Sequence, residues 1–276
     1  MNYNILIIGN GFIGKNLYNS YSGLCQTRIT NKEELDVRSG ESIRNFFLGP
    51  DVYTHIIYAA GLKDVGYCER KPDEAYAING DAIKKILKVV NPEKFIYIST
   101  DYVFDGEKGF YSETDAPNPK TIYGQSKLLG EWYTKAYANN HMIVRASGVY
   151  GNNCGWLEWL LAEARANSEV ICFSDVYNSP TCVNNLAEMI MDMIEKDYSG
   201  TINLCGPQVV NRYELYKSVF DYYEGNSEKL FRGSGIKKFP KNVSLDPSLY
   251  KELSKKRPAT INDGLRFLKE GERNEN

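Results

Sequence analysis

A glycine-rich turn directly after the first apolar segment is the feature that most constrains the fold of this chain. Residues 3–8 (YNILII) form an apolar run rich in isoleucine, as in a central parallel strand, and residues 9–14 (GNGFIG) lead from it into a helix. Glycines between a strand and a helix permit a tight turn, and they let a pyrophosphate approach the N–H groups at the helix N-terminus. We therefore expect a dinucleotide to bind at Gly9, Gly11, Phe12, Ile13 and Gly14.

Strand-like and helical segments alternate along the first 150 residues. The pattern predicts further strands at 25–29, 55–58, 94–99 and 141–146, and helices at 41–48, 72–90 and from 121 or 122 onward. This alternation with short connections predicts an α/β fold, a Rossmann-type doubly wound parallel sheet.

The pattern loosens after Gly151. It predicts helices at 156–166, 183–196 and 213–223, short strands at 170–173 and 201–205, and a basic loop at 225–243. We expect residues 1–153, completed by about 169–205, to form the dinucleotide-binding domain. Residues 206–276, with about 154–168, are expected to form a smaller α/β substrate-binding lobe.

Composition excludes several classes of function. The formal net charge of -2 gives no electrostatic footprint for nucleic acid, and no apolar run approaches the roughly 20 residues of a membrane span. The six cysteines are scattered without a CxxC pair, which is typical of reduced thiols in a cytoplasmic protein. Only two histidines are present, which argues against zinc and against Ser-His catalysis, and we predict no metal.

A hydroxyl, a phenol and an ammonium group are predicted to meet at one edge of the sheet. Thr100 follows the fourth strand, and Tyr123 and Lys127 lie one turn apart on one face of the next helix. A phenol has a reference pKa of about 10, and a neighbouring ammonium lowers it toward neutrality. This group suits protonation of a carbonyl oxygen that is becoming an alkoxide. We predict that Thr100, Tyr123 and Lys127 are catalytic and that the bound dinucleotide supplies the hydride.

The residues at the end of the second strand indicate which dinucleotide binds. An NAD site usually has an acidic residue at the end of this strand for the ribose 2′-hydroxyl, and none stands there. Arg28 could instead meet a 2′-phosphate, which favours NADPH over NADH, although a solvated arginine is an equally valid interpretation. Other predicted cofactor contacts lie at strand ends or on the helices that follow them: Asp36, Val37, Ala59, Ala60, Gly61, Asn79, Tyr123 and Lys127.

The motifs together carry a family resemblance. The glycine turn, Ala59-Ala60-Gly61, Thr100 and Tyr123-x-x-x-Lys127 resemble the extended short-chain dehydrogenase/reductase family. The longer runs STDYVFDG (99–106) and YGQSKLLGE (123–131) resemble its dTDP-4-dehydrorhamnose reductases. The resemblance implies that NADPH or NADH reduces the C4 ketone of a nucleotide-linked 6-deoxy sugar, in deoxysugar and cell-surface polysaccharide biosynthesis.

The resemblance also implies roles for single residues. Tyr123 would be the general acid, Lys127 would hold the nicotinamide ribose and tune Tyr123, and Thr100 would bind the reacting oxygen. Tyr102 would line the sugar pocket. Dimers are common in the family, so a homodimer is a further expectation.

The chain departs from the family near the expected substrate. Gly148 stands where relatives usually have a tryptophan, which implies a roomier or differently shaped pocket, and Lys63 places a charge near the substrate entrance. We predict that Lys63, Tyr102, Gly148 and Asn153 contact the substrate. The basic residues Lys237, Lys238 and Lys241 could meet a nucleotide diphosphate or could simply be solvated.

Two other functions remain open from the sequence. A nucleotide-sugar epimerase or dehydratase would use the same Tyr–Lys pair with a tightly bound NAD, and the missing acid on the second strand disfavours it. A catalytically silent, NADP-binding regulatory subunit would have the same fold, and the intact Thr100, Tyr123 and Lys127 argue against it.

Overall fold

A computed structural model of the chain describes residues 3–223, 225–236 and 238–274. The helices are α1 (Phe12–Tyr21), α2 (Gly40–Phe47), α3 (Val65–Arg70), α4 (Pro72–Tyr76), α5 (Ala82–Leu87), α6 (Ile122–Tyr137), α7 (Gly155–Arg165), α8 (Val183–Glu195), α9 (Arg212–Tyr222), α10 (Ser248–Ser254) and α11 (Ile261–Asn274). The strands are β1 (Asn4–Ile8), β2 (Gln26–Thr30), β3 (His55–Tyr58), β4 (Lys94–Thr100), β5 (His141–Ala146), β6 (Val149–Tyr150), β7 (Val170–Phe173), β8 (Tyr177–Asn178), β9 (Thr181–Cys182), β10 (Gly200–Asn203), β11 (Val210–Asn211) and β12 (Leu230–Gly233).

The chain divides into two compact units. The first contains the chain up to Phe104, with Pro117–Arg145 and Met193–Ile202. The second contains Asp105–Ala116, Ala146–Asp192 and the chain from Asn203 onward. The assignment of a dinucleotide to one domain and of a substrate to the other stays a prediction.

A β-sheet flanked by helices organises the first unit. Six of the described strands form it in the order β10-β5-β4-β3-β1-β2. β1 pairs in parallel with both β2 and β3, and β3 pairs in parallel with β4. The strand order therefore reverses between β1 and β3, and in open α/β sheets ligands bind beyond the carboxyl ends of the strands at such a point. The predicted Rossmann-type fold is confirmed.

The buried strands explain why this sheet forms. Residues 5–8 of β1, all of β3 and all of β4 are buried, as expected for parallel strands covered by helices on both faces. On one face, Ile83 and Ile86 of α5 pack with Tyr58 and Phe95 in a continuous hydrophobic core. The apolar runs that identified these strands in the sequence are therefore the runs that make the core.

The helix predicted over 72–90 is interrupted by a π-helical stretch. Pro72–Tyr76 and Ala82–Leu87 are α-helical, whereas Ala77–Asp81 between them is π-helical. π-Helical turns are rare in proteins, and many of those that occur lie at functional sites. The stretch contains Asn79, one of the predicted cofactor residues.

Short ladders and helices make up the second unit. β7 pairs in parallel with β12, β6 in parallel with β9, and β8 antiparallel with β11. The predicted loop at 225–243 is therefore wrong over Leu230–Gly233, which forms β12. The strand is only four residues long and lies among glycines and basic residues, so no periodicity identified it. Throughout the described chain, no helix is both long and apolar enough to cross a membrane.

Candidate active site

The glycine turn after β1 is formed by close backbone packing. Gly9 has a φ of +109°, and a Cβ built on it would lie 2.5 Å from the backbone nitrogen of Ala60. A Cβ on Gly14 would overlap the carbonyl oxygen of Gly9. Both positions therefore require glycine, and this packing brings the carboxyl end of β1 against the residues that follow β3.

Gly11 is glycine for a different reason. A Cβ on Gly11 would meet no protein atom within 4 Å, so no protein contact excludes a side chain there. Gly11 is also the N-cap of α1, no side chain caps this helix, and its first turn contains no acidic residue. The first N–H groups of α1 are thus open to an anion, and the helix dipole favours one. These features fit the pyrophosphate of a dinucleotide.

Lys63, a predicted substrate residue, lies beside this turn. The ammonium of Lys63 is 5.8 Å from the centroid of the Phe12 ring, and the Lys63 side chain is exposed. The structure therefore brings a residue predicted to bind substrate next to one predicted to bind the cofactor.

Asn79 holds the loop after β3. Its side-chain oxygen accepts a hydrogen bond from the Leu62 N–H at 2.9 Å, and its amide nitrogen donates to the Leu62 carbonyl at 3.0 Å. The same nitrogen lies 2.9 Å from the Ser126 hydroxyl on α6. Asn79 is fully buried, and both polar atoms of its side chain form hydrogen bonds within the protein. It therefore positions Gly61 and Leu62 and ties their loop to α6.

The helix α6 carries the predicted catalytic pair. The Thr121 hydroxyl caps it by accepting from the Gly124 N–H at 3.1 Å, and the Glu69 carboxylate accepts from the Ile122 N–H at 2.9 Å. A Cβ on Gly124 would overlap the carbonyl oxygen of Tyr102. The start of α6 is thus fixed against the 3₁₀ turn Asp101–Val103 that follows β4.

Lys127 is buried beneath this edge of the sheet. Its Nζ donates to the Ile98 carbonyl at 2.5 Å and lies 4.2 Å from the centroid of the Tyr97 ring. Burial lowers the pKa of Lys127 to about 7, and the charge of Glu131 opposes this change. Lys127 can therefore change its protonation near neutral pH.

Tyr123 lies with Thr100 and Tyr102 at the carboxyl end of β4. The Tyr102 and Tyr123 rings meet edge to face with centroids 5.6 Å apart, and the Thr100 hydroxyl donates to the Asp101 carboxylate at 2.9 Å. Burial raises the pKa of Tyr123 well above its usual value, and a hydrogen bond with Thr100 works in the opposite direction.

This result differs from the expectation that Lys127 lowers the pKa of Tyr123. Desolvation of the phenol is the largest influence on its pKa. The ammonium of Lys127 donates instead to the Ile98 carbonyl and lies over the Tyr97 ring. The phenol of Tyr123 is consequently protonated at neutral pH, which is the form that a proton donor needs.

The structure shows a buried ion pair that the sequence analysis missed, between Arg145 on β5 and Glu131 on α6. Arg145 binds both carboxylate oxygens of Glu131, at 3.0 and 2.7 Å, and the Ser99 hydroxyl donates to the same carboxylate at 2.6 Å. Both charged side chains are fully buried. The spacing of four residues places Lys127 and Glu131 on one face of α6, but no local signal pairs Glu131 with Arg145 on β5.

The structure places Arg28 among acidic residues. It pairs with Asp51 at 2.8 Å and Glu34 at 3.4 Å, and its side chain remains 43% exposed. Asp36 binds Arg38 through both carboxylate oxygens, and Val37 is buried. These pairs satisfy Arg28 and Asp36 within the protein, and their contact with a cofactor stays a prediction.

The predicted substrate residues of the second unit lie where the backbone has a positive φ. Gly148 has a φ of +50°, and a Cβ there would lie 2.6 Å from the amide nitrogen of Asn178. Asn153 is exposed with a φ of +63°. Lys238 and Lys241 are exposed, whereas Lys237 lies outside the described residues. Among the residues described, no group of three or more His, Cys, Asp or Glu side chains could hold a metal ion.

Comparisons with known proteins show which family the chain belongs to. Residues 3–248 match the family described as the RmlD substrate binding domain. A curated relative from Haloferax volcanii, named Probable low-salt glycan biosynthesis reductase, is 32% identical over 181 residues, which are 62% of this chain and 60% of that protein. The chain thus aligns with about three fifths of that relative's length.

Two dTDP-4-dehydrorhamnose reductases extend the likeness. The one from Salmonella typhimurium is 32% identical over 230 residues, which are 77% of this chain and 72% of that protein. The crystal structure of the one from Bacillus anthracis, in complex with NADP, superposes with a TM-score of 0.91 at 25% identity. The superposition covers 97% of this chain and 99% of the Bacillus anthracis chain.

The fold and these relatives define a member of the extended short-chain dehydrogenase/reductase class. Within that class, the chain belongs to the RmlD substrate binding domain family. The resemblance identified from its motifs is confirmed.

Proposed function

We propose that this protein is an NADPH-dependent reductase of a nucleotide-linked 4-keto-6-deoxy sugar, with NADH as the alternative cofactor. The observation that carries the proposal is the placement of Tyr123 and Lys127 on α6 beside Thr100, at the carboxyl end of β4. The names of the glycan and dehydrorhamnose reductases that the chain resembles support the same reaction.

The chain's own residues would act on the ketone oxygen. Thr100 would redirect its one hydroxyl proton from the Asp101 carboxylate to this oxygen and hold it near the phenol. As negative charge develops there, Tyr123 transfers its proton and the product hydroxyl forms. The buried ammonium of Lys127 stabilises the phenolate that remains, because opposite charges interact strongly where water is excluded.

The α1 turn and the loop after β3 would hold the dinucleotide. When bound, the reduced nicotinamide supplies the hydride for the ketone carbon. Gly9, Gly11 and Gly14 allow its pyrophosphate to approach the α1 N-terminus, and Phe12 and Ile13 follow in the first turn. Asn79 supports this site from behind, since it fixes Gly61 and Leu62.

The substrate contacts of Lys63, Tyr102, Gly148 and Asn153 belong to the same proposal. Lys63 supplies a cation suited to a nucleotide diphosphate, and Tyr102 stands against Tyr123. Cytoplasmic location and a homodimer remain predictions from the sequence.

The decisive experiment is to follow the oxidation of NADPH and NADH with a dTDP-4-keto-6-deoxy sugar, using wild type and Tyr123→Phe. Removal of a positioned acid should lower the rate on the order of 10²–10⁴-fold. Tyr133→Phe is the matched control, because it removes a phenol from the same helix, where Tyr133 packs against Tyr137. No substrate-dependent oxidation by wild type, or equal loss in both variants, would contradict the proposal.

A further inference from the structure

Two packed helices of the first unit carry an outward face that takes no part in the proposed reaction. α5 and α6 lie side by side, and lysines from α5 meet tyrosines on α6. The Nζ of Lys84 lies 5.3 Å from the Tyr133 ring centroid and 5.9 Å from the Tyr137 centroid, and the Nζ of Lys88 lies 6.0 Å from the Tyr137 centroid. Together with the neighbouring Trp132, these four residues are called the basic aromatic face.

The basic aromatic face presents apolar surface to solvent. Trp132 is 58% exposed, and Ala136, one turn later on α6, is also exposed, so the two form a stripe beside that of Tyr133 and Tyr137. Val89, just beyond the end of α5, is 41% exposed. Exposed aromatic surface is unfavourable in water, and its combination with cations fits a partner that is both apolar and anionic.

The charge of this face is not balanced within the protein. Among the described residues, no carboxylate forms an ion pair with Lys84, Lys88 or Lys135. The only acidic residue within α5 and α6 is Glu131, which is buried and paired with Arg145. The dipole of α5 accounts for lysines near its C-terminus, but it does not account for the aromatic rings among them. The face is therefore suited to anions from outside the chain.

The arrangement also selects among partners. A second copy that used the same face about a twofold axis would place lysines against lysines, and neither helix has an exposed carboxylate to separate them. An anionic phospholipid bilayer instead offers many phosphates in one plane, at a depth that tryptophan and tyrosine rings prefer. Lysine side chains can lie over apolar surface while their ammonium groups reach such phosphates.

We propose that the basic aromatic face docks the protein on the surface of an anionic phospholipid bilayer, with Trp132 among the headgroups and with Lys84 and Lys88 on the lipid phosphates. Docking of this kind is peripheral and needs no membrane-spanning helix. Each lysine near an anionic surface raises affinity about fivefold, so the binding is reversible and sensitive to salt. The inference does not depend on the proposed reaction.

The test is co-sedimentation of the full chain with vesicles of phosphatidylglycerol and phosphatidylcholine, compared with vesicles of phosphatidylcholine alone. At low salt, wild type should bind the anionic vesicles about tenfold or more tightly than the neutral ones, and about 1 M salt should remove the difference. Lys84→Ala combined with Lys88→Ala should weaken binding about 10- to 30-fold. Trp132→Ala should weaken it about 3- to 30-fold, because less apolar surface leaves water.

The second unit offers matched controls. Lys251 and Lys255 are exposed and also four residues apart, so Lys251→Ala combined with Lys255→Ala removes the same charge from another surface. Trp159 is 45% exposed, and Trp159→Ala removes an exposed tryptophan elsewhere. These control variants should change vesicle binding less than about twofold. Thermal unfolding of each variant separates loss of binding from loss of fold.

Quenching of fluorescence by brominated acyl chains tests the orientation. Anionic vesicles of brominated lipid should quench the fluorescence of wild type and of Trp159→Phe, and should quench that of Trp132→Phe much less. Free glycerol 3-phosphate at the same phosphate concentration should not displace wild type from the vesicles, because it offers the charge without the interface. Displacement by it would show a site for a small anion and would overturn the docking inference.

Three further results would overturn the inference. Wild type could bind neutral and anionic vesicles alike, or the control variants could lose as much affinity as the test variants. Alternatively, wild type could be a dimer that Trp132→Ala dissociates and that does not bind anionic vesicles, which would show that a second copy covers the face. Oxidation of NADPH in solution tests the proposed function separately, since no lipid takes part in that assay.

Discussion

Lys127 and Glu131 lie one turn apart on α6, and neighbouring residues of β4 hold their side chains. The Ile98 carbonyl accepts from Lys127, and the Ser99 hydroxyl donates to Glu131. The orientation of α6 relative to β4 is therefore fixed at two successive turns. Because Tyr123 lies one turn before Lys127, this arrangement also determines where the phenol points.

Lys127 should make the protein more stable as the pH rises from about 7 to about 10. Burial lowers its pKa in the folded protein to about 7, whereas the unfolded chain has a value of about 10.4. Between these values the unfolded chain binds a proton that the folded protein lacks, so the free energy of unfolding increases with pH. Below about pH 7 both states are protonated and the full cost of burying the charge is present.

Urea unfolding of wild type and Lys127→Met at about pH 6 and about pH 9 measures this effect. Wild type should gain stability relative to the variant between the two conditions, on the order of 1–3 kcal/mol. Parallel changes in the two proteins would show that Lys127 does not titrate in this range.

Glu131→Gln should be strongly destabilising. It leaves the buried guanidinium of Arg145 without its carboxylate, and loss of one partner of a buried ion pair costs about 3–5 kcal/mol. Glu131→Leu combined with Arg145→Met should cost less than Glu131→Gln alone, because no unpaired charge remains buried. Chemical unfolding of the three variants measures these differences. A double variant less stable than the single one would refute this account.

Gly148→Ala should destabilise the protein through two separable effects. A φ of +50° costs a residue with a side chain about 1–2 kcal/mol, and the new Cβ would also press on the Asn178 amide at 2.6 Å. Adding Asn178→Ala should recover the second part and leave the first. Thermal unfolding of both variants measures the two parts, and Gly155→Ala is the control, since nothing lies within 4 Å of its Cβ. Equal losses in all three would disprove the strain at Gly148.

Arg28→Ala should raise the KM for NADPH and leave that for NADH unchanged. A charge-assisted contact with the 2′-phosphate corresponds to about a tenfold or larger effect on NADPH alone. Steady-state kinetics with both cofactors measures it, and Arg44→Ala on α2 is the control for loss of an exposed arginine. If NADPH and NADH are affected alike, the contacts of Arg28 with Asp51 and Glu34 account for the residue without a cofactor.

The sheet could be predicted because its signals are local. Continuous apolar runs identified β1, β3 and β4, and β3 and β5 were predicted with the bounds that the structure shows. β12 was missed because its partner β7 lies about 60 residues earlier, and only this pairing makes Leu230–Gly233 a strand. A four-residue strand carries too few positions for its periodicity to show.

The site was predictable in its members but not in its electrostatics. The spacing of Tyr123 and Lys127 on one helix follows from the helical period. The pKa shifts of Tyr123 and Lys127 arise mainly from burial, which the local sequence does not contain. Likewise, Arg145 pairs with Glu131 only because β5 and α6 are adjacent in the folded unit.

The two bonds between Asn79 and Leu62 have a consequence for which residues can stand at position 79. A carboxamide presents a donor and an acceptor side by side, as a peptide group does. Here it pairs with both the N–H and the carbonyl of Leu62, as one residue of a β-strand pairs with its partner. An aspartate in its place would lack the donor, a leucine would lack both groups, and a glutamine would reach one methylene too far. Position 79 should therefore accept few amino acids other than asparagine, although no part of the substrate needs to touch it.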